Sequence, residues 1–369
     1  MAEVLRSRGL GGLTAAARRT LGSIYAERTG RLRRTSRRAM EFGLRPHLLR
    51  GRVTHVHGPE HVDYGPDQLL LISVVRNGAL YVESFMEHYR ALGVAHFVCL
   101  DNGSTDDTVD RLCAHPGMTV LRTDAPYATY ENTMKRYLAE RFSRGRWHLC
   151  ADIDELFDYP LSEGVPLAGL LSYLDARGFT AVVAQMLDMF SELPLAAVKS
   201  LPGDRLKEKY PFFDISAVER RPYEWSEPPR PELRMHWGGI RRAVFGTNNG
   251  LTKAALVRMD GRVRPFVEWH QATGAILADI SGVLMHYPFV SAFIDKVLEA
   301  VRTRRYGVTT TDEYEAYGRA LAKNSDLSLM RPTARRFSGL EALIADGFLV
   351  VSDEYRRWVN EYAERRPNR

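Results

Sequence analysis

The carboxylates of Asp152-Ile153-Asp154-Glu155 are the residues whose type and spacing best suit chemistry. In an extended segment, residues i and i+2 point the same way, so Asp152 and Asp154 converge while Ile153 turns back toward a core. Two carboxylates held that close raise each other's pKa unless a cation sits between them. Mn2+ or Mg2+ carrying a diphosphate suits such a pair, because hard divalent ions take a few carboxylates plus phosphate oxygens. An acidic helix start, with Asp154 and Glu155 favoured by the dipole, is the ordinary alternative. Two more polar clusters, Arg76-Asn77-Gly78 and Asp101-Asn102-Gly103-Ser104-Thr105-Asp106, likewise follow apolar runs. Any one of the three is ordinary turn chemistry; together they point to a ligand site.

Aligning three clusters takes a sheet. Leu69–Val75 is a continuous apolar run, the mark of a strand buried on both faces of a parallel sheet. Leu80–Leu92 suits a helix stopped by Gly93, Val94–Leu100 a second strand, and Asp106–Ala114 a short helix capped by Ser104 or Thr105. Met118–Arg122, Tyr130–Phe142 and Trp147–Ala151 continue as strand, helix and strand. Such alternation predicts a doubly wound, mostly parallel α/β sheet flanked by helices, with ligands outside the carboxyl ends of its strands. Farther on, Leu167–Arg177 reads as helix and Ala181–Met186 as strand. Lys199–Arg242 reads as an irregular functional loop and Val283–Phe289 as a short strand. Ala292–Tyr306, Asp312–Lys323 and Gly339–Ala345 predict a helical tail. The expected divisions are a basic arm and linker over 1–65, a ligand-binding half over 66–160, a second half over 161–290 and a helical extension over 291–369. Gly58-Pro59 and Gly65-Pro66 mark His55–Gln68 as the linker.

The run Leu71-Ile72-Ser73-Val74-Val75-Arg76-Asn77, with Glu83 and His88-Tyr89, then Asp101–Thr108, then Asp152–Phe157, resembles the family 2 glycosyltransferases. The nearest subgroup opens on an Arg-Asn-Glu motif and closes its nucleotide-binding half on Asp-Ile-Asp-Glu-Phe. Gly238–Arg242 with Phe245-Gly246, Leu251-Thr252-Lys253, His270 and Leu284-Met285-His286-Tyr287 are similar to that subgroup's acceptor half. The resemblance spans about residues 69–305. It implies a GT-A fold and inverting transfer from a nucleotide-diphosphate sugar, with UDP favoured. It further implies Asp101 at the uracil or ribose, Asp152 near ribose and sugar, and Asp154 and His286 on the metal. Val74, Arg76, Asn77, Asn102, Ser104, Asp106 and Ile153 complete the implied donor set. Gly78 stands where the subgroup has Glu, and Leu156 interrupts its Glu-Phe pair.

Inverting transfer also needs a carboxylate to take the acceptor proton, with a metal neutralising the leaving diphosphate. Asp188, Asp214 and Glu268 are the base candidates on the acceptor side. Trp237, Trp269 and His270 offer a sugar-contacting or merely structural wall, and Arg241 and Arg242 offer phosphate contacts or a solvated pair. Two other functions fit the same residues less well. One is a catalytically inactive sugar-nucleotide-binding or membrane-tethering protein, which intact Asp152, Asp154 and His286 argue against. The other is a sugar-nucleotide pyrophosphorylase, which would want a glycine-rich basic loop where Arg76-Asn77-Gly78-Ala79 stands.

Bulk composition sets the outer limits. The 369 residues are 45% hydrophobic and 26% charged, ordinary for a globular chain. No apolar run approaches the roughly 18 residues of a spanning helix. Cys99, Cys113 and Cys150 have no metal-type spacing and read as reduced thiols. Charge is concentrated: residues 1–52 hold 13 Arg, no Lys and 3 acidic residues, a net of +10 against +6 for the whole chain. Such an arm suits an anionic membrane surface, a solvated helix or an organellar transit peptide; aromatic interleaving for nucleic acid is missing. Without a visible secretory signal, the expected location is cytoplasmic, peripheral to the inner face of a membrane. Expected partners are a nucleotide-sugar donor and a glycan or lipid-linked acceptor.

Overall fold

The computed structural model describes residues 40–199, 205–226, 228–266 and 271–365. The chain divides into two compact units, Met1–Gly51 and Arg52–Arg369. In the first, a π-helical turn at Met40–Leu44 runs into α1 (Arg45–Arg50), and Arg45 pairs with Glu41 one turn back.

The second unit is mixed α/β, built on one nine-stranded sheet. Its strands are β1 (Val53–His57), β2 (Leu70–Val75), β3 (His96–Asp101), β4 (Met118–Thr123), β5 (Trp147–Cys150), β6 (Glu155–Asp158), β7 (Ala181–Asp188), β8 (Thr252–Arg258) and β9 (Leu277–His286). They lie in the order β1-β4-β3-β2-β5-β8-β7-β9-β6. Six run the same way, while β1, β8 and β6 run against their neighbours. Every residue of β2 and β7 is buried, as continuous apolar runs in a covered sheet require.

The flanking helices are α2 (Val82–Ala91), α3 (Thr108–Cys113), α4 (Tyr127–Phe142), α5 (Leu167–Ala176), α6 (Leu195–Val198), α7 (Leu206–Lys209), α8 (Gly239–Phe245), α9 (Phe293–Thr303), α10 (Val308–Lys323), α11 (Leu340–Ala345) and α12 (Asp353–Arg365). α2 stops before Gly93, whose φ of +98° suits glycine. An aromatic cluster of Phe245, Phe289, Phe293 and Tyr317 seats the α9–α10 hairpin against α8, with Phe245 and Tyr317 centroids 4.6 Å apart.

Three stretches differ from the sequence reading. The expected linker contributes β1, an edge strand paired antiparallel with β4. The expected loop Lys199–Arg242 holds a two-stranded ribbon, Val218–Pro222 against Arg234–Gly238, besides α7 and the start of α8. The late strand begins at Leu277 and runs ten residues, through Gly282, where a Cβ would strike the Phe157 ring at 2.4 Å. Cys99 and Cys150 are free and buried, and burial pushes their thiols up to about 12 and about 11.

Candidate active site

A cavity of ≈ 280 Å³ opens where the carboxyl ends of β2, β5, β7 and β9 meet the α9–α10 hairpin. Register explains its floor. On one rung of the sheet, His286 of β9 pairs with Asp188 of β7 on one side and Glu155 of β6 on the other. Asp188 Oδ1 lies 2.7 Å from His286 Nδ1, and His286 Nε2 lies 3.7 Å from Asp154 Oδ2. Arg241 locks Asp188 from behind with Nε at 2.8 Å and Nη2 at 2.7 Å. Its Nη2 also lies 3.0 Å from His286 Nδ1. Two donors cannot share a hydrogen bond, so the shorter contact assigns the Nδ1 proton to Asp188 and turns Nε2 toward Asp154.

These charges set one another's protonation. Burial opposes a charge on His286, but Asp154 and Asp188 outweigh it and push the imidazole up to about 9. Burial also raises the Asp188 carboxyl, yet Arg241 and His286 bring it down to about 2. For Asp154, the Lys296 ammonium, 3.5 Å away, and His286 overcome burial and hold it well below the usual carboxylate range.

Asp152 and Asp154 both line the cavity, but each has its own cations. Asp152 lies 3.1 Å from Lys135 and 3.3 Å from Lys253. Lys253, wholly buried, also donates to Glu155 at 2.6 Å. Glu155 Oε2 accepts the Asp152 backbone N–H, tying the loop to its strand. Ile153 is buried beneath Gly78, where an added Cβ would meet Val75 and Ile153 methyl carbons at 2.9 and 3.1 Å. That contact explains the glycine at position 78.

The first two loops are stitched to one another. Ser104 Oγ accepts the Asn77 N–H, Asn77 Oδ1 accepts the Thr105 N–H, and Asp106 accepts the N–H groups of Thr108 and Ala79. Asn77 takes a φ of +48°, which asparagine tolerates. Asp101 has no exposed surface: Arg122 and the Ser104 N–H take both its oxygens. A direct contact of Asp101 with uracil or ribose therefore does not fit this geometry. Asn102 reaches the cavity but spends its amide on Thr123, Ala125 and Arg305. Val74 and Arg76 also line it.

The base candidates fare unequally. Asp188 is consumed by Arg241 and His286, so it orients and does not abstract. Asp214 is buried away from the cavity, held by Thr333 at 2.7 Å, Arg331 at 3.1 Å and the Ser216 N–H. Glu268, Trp269 and His270 lie outside the described residues. Trp237 sits beside the cavity under Gly250, with the Arg221 guanidinium 5.3 Å from its ring. Arg242 turns outward to Glu219 and Asn248, so it takes no part in the cavity wall.

Sequence reasoning missed the opposite wall. Arg305, Tyr306, Thr309, Thr310, Glu313 and Tyr314, from the α9–α10 hairpin, all line the cavity. Tyr306 and Tyr314 stack 5.2 Å apart, and Arg305 reaches over Tyr306. Glu313 Oε1 accepts from Arg241 at 3.1 Å and from Tyr317, while Oε2 has no partner among the described residues. The Nε atoms of Arg76 and Arg305 are buried without a hydrogen-bond partner. A helical tail carries no motif that announces such a wall.

A divalent ion fits the floor. An oxygen and a nitrogen each about 2.1 Å from one ion lie at most about 4.2 Å apart, and Asp154 Oδ2 and His286 Nε2 meet that limit at 3.7 Å. Among the described residues no three His, Cys, Asp or Glu side chains form a cage, so phosphate oxygens and water would complete such a site.

No family model and no curated protein matches this chain. Among solved structures it is similar to the mannosyltransferase PcManGT from Pyrobaculum calidifontis in complex with GDP-Man and Mn2+. Identity is 21%, over 41% of this chain and 45% of that one, with a TM-score of 0.26. A 4-diphosphocytidyl-2C-methyl-D-erythritol synthase is similar at 14% identity, over 35% of this chain and 64% of that one, with a TM-score of 0.21. At those scores neither likeness bears on function. Among the described residues no helix is long and apolar enough to cross a membrane.

Proposed function

We propose that this chain is a metal-assisted glycosyltransferase. It transfers a sugar from a nucleotide-diphosphate sugar, UDP-linked by the family resemblance, to a hydroxyl of a glycan or lipid-linked acceptor, with inversion at the anomeric carbon. The observation that carries this reading is the row Asp154, His286, Asp188 and Arg241, set at the carboxyl ends of the strands. A histidine whose Nδ1 is fixed by a carboxylate and whose Nε2 faces a second carboxylate is built to hold a cation.

Asp154 and His286 would hold Mn2+ or Mg2+, which when bound neutralises the departing diphosphate. Arg76 and Arg305 flank that position with unpartnered Nε donors suited to phosphate oxygens. Lys135 and Lys253 pair with Asp152, whose carboxylate lines the cavity and suits a ribose or sugar hydroxyl. Inverting transfer is a single in-line displacement in which a carboxylate takes the acceptor proton. Glu313 suits that role: it lines the cavity, Arg241 and Tyr317 fix one oxygen, and the other has no partner among the described residues. The arm of residues 1–52 supports contact with an anionic membrane surface.

A panel of UDP- and GDP-sugars with Mn2+ tests the reading through release of nucleoside diphosphate. One or a few donors should be cleaved slowly to water, and EDTA should stop the reaction. Failure of every donor either to bind or to turn over would remove the proposal.

A further inference from the structure

The corner joining α9 to α10 carries apolar side chains that the fold leaves uncovered. Leu298 is 62% exposed, Val301 38% and Val308 80%. On its inner face α9 buries Phe293, Val297 and Ala300, so its own core is already satisfied without them. Leu298, Val301 and Arg302 stand three and four residues apart and share one helical face. Arg304 follows, and Val308 opens α10 after Gly307.

Charge at this corner is one-sided. Residues 298–308 carry Arg302, Arg304 and Arg305 against Glu299 alone, a local net of +2. Of the nearby carboxylates, Glu299 pairs with Arg76, Asp295 with Lys199 and Glu315 with Arg304. Asp312, one turn after Val308, is exposed and has no ion pair among the described residues. The corner also borders the cavity. Tyr306 and Thr309 line it on either side of Gly307-Val308, and Lys296 lines it just before Leu298.

Aliphatic side chains set among arginines suit the headgroup layer of an anionic bilayer. The alkyl groups enter the acyl boundary and the guanidinium groups stay with lipid phosphates. A water-soluble glycan would have no use for the alkyl groups. We propose that the α9–α10 corner, through Leu298, Val301, Val308, Arg302 and Arg304, docks on an anionic phospholipid surface and holds the mouth of the cavity against it. The acceptor is then delivered from the lipid surface. The docking does not depend on the reaction proposed above.

Vesicle flotation of the full chain tests this, using phosphatidylcholine with about 30% phosphatidylserine to give an anionic surface. The basic arm confounds the assay only at low ionic strength, because about 0.5 M salt screens exposed charges beyond a few ångströms. At that salt the wild-type chain should still float with vesicles. Combining Leu298→Ser, Val301→Ser and Val308→Ser should lower the partition coefficient at least about tenfold through lost apolar burial. Arg302→Gln with Arg304→Gln should weaken binding severalfold at low salt and little at high salt. Leu298, Val308 and Arg302 are on the surface, while Val301 packs partly against Gly318 of α10 and Arg304 pairs with Glu315. Circular dichroism should therefore match wild type, and melting temperature should fall only slightly. Equal flotation of the triple variant and wild type at high salt would overturn the proposal. So would a wild-type chain that floats with no vesicle, leaving the corner to a protein partner.

Discussion

On the sheet side of the cavity, Asp154, Asp188, Lys253 and Glu155 are buried, His286 is nearly so, and each of these charges has a designated partner within 3.7 Å. Arg76, after β2, is the exception, with a buried Nε that has no partner. On the hairpin side, Arg305 and Glu313 line the same cavity but keep a polar atom in reserve, Nε in one and Oε2 in the other. The difference follows from how the two walls are anchored. Register between β6, β9 and β7 places the sheet-side groups, and backbone ladders do not adjust to a ligand. The hairpin stands on an aromatic cluster beside α8, and its polar groups project from the α9–α10 loop and from α10. A fixed floor suits an ion and a diphosphate; a wall with spare hydrogen-bonding atoms suits the changing charge of a transferring group.

The comparison is broken most sharply by Glu313→Gln. Removing a base should lower turnover by roughly 10²–10⁴-fold, while nucleotide-sugar affinity, measured by calorimetry, stays within about threefold. Unchanged turnover would place the base elsewhere, with Glu268 the first to examine. Arg241 bridges the two walls, to Asp188 and Glu313. Arg241→Met leaves the Asp188 carboxylate buried without its main partner, which should cost about 3–5 kcal/mol of stability in chemical denaturation. A loss under about 1 kcal/mol, typical of an exposed pair, would show that the pair is not buried in solution.

Protonation of His286 separates the walls by pH. Its value is pushed up to about 9, so a proton on Nε2 competes with metal below that pH. Mn2+ affinity should rise by up to about tenfold per pH unit and level off near 9. For the metal-free fold the sign is opposite. The raised imidazole contributes stability that is complete below its ordinary value of 6.5 and fades as pH rises through about 9. Mn2+ affinity that is flat with pH would argue against His286 as a ligand. Gly78→Ala gives the smallest effect: a Cβ forced onto Val75 and Ile153 should cost about 1–3 kcal/mol in thermal unfolding. A neutral result would mean that the two loops yield easily.

The sheet side was the more legible wall. Apolar runs ending in Arg76-Asn77, Asp101-Asn102 and Asp152–Glu155 located the strand ends, because buried parallel strands leave a strong signal. Even so, type and position did not separate roles. Asp101, Asn77, Ser104 and Asp106 look like ligand contacts in sequence but spend their polar atoms holding loops. Asp188 reads as a base until Arg241, 53 residues away, is seen to claim it. β8 stayed hidden because Lys253 interrupts its apolar run, and that lysine is buried only because Asp152 and Glu155 neutralise it. The hairpin wall was illegible: Glu313 and Tyr314 are ordinary on a helix and Tyr306 on a loop, and only the tertiary fold turns them to the cavity.

The central claim is that Asp154 and His286, with Asp188 behind, bind the cation that accompanies a nucleoside diphosphate. Calorimetric titration of UDP and GDP in the presence and absence of Mn2+, on wild type, Asp154→Ala and Asp188→Asn, tests it most directly. The account predicts Mn2+-dependent binding in wild type, loss of the Mn2+ enhancement in Asp154→Ala, and about 10–100-fold weaker Mn2+ coupling in Asp188→Asn. Nucleotide binding that is indifferent to Mn2+ in wild type and unchanged in Asp154→Ala would contradict it.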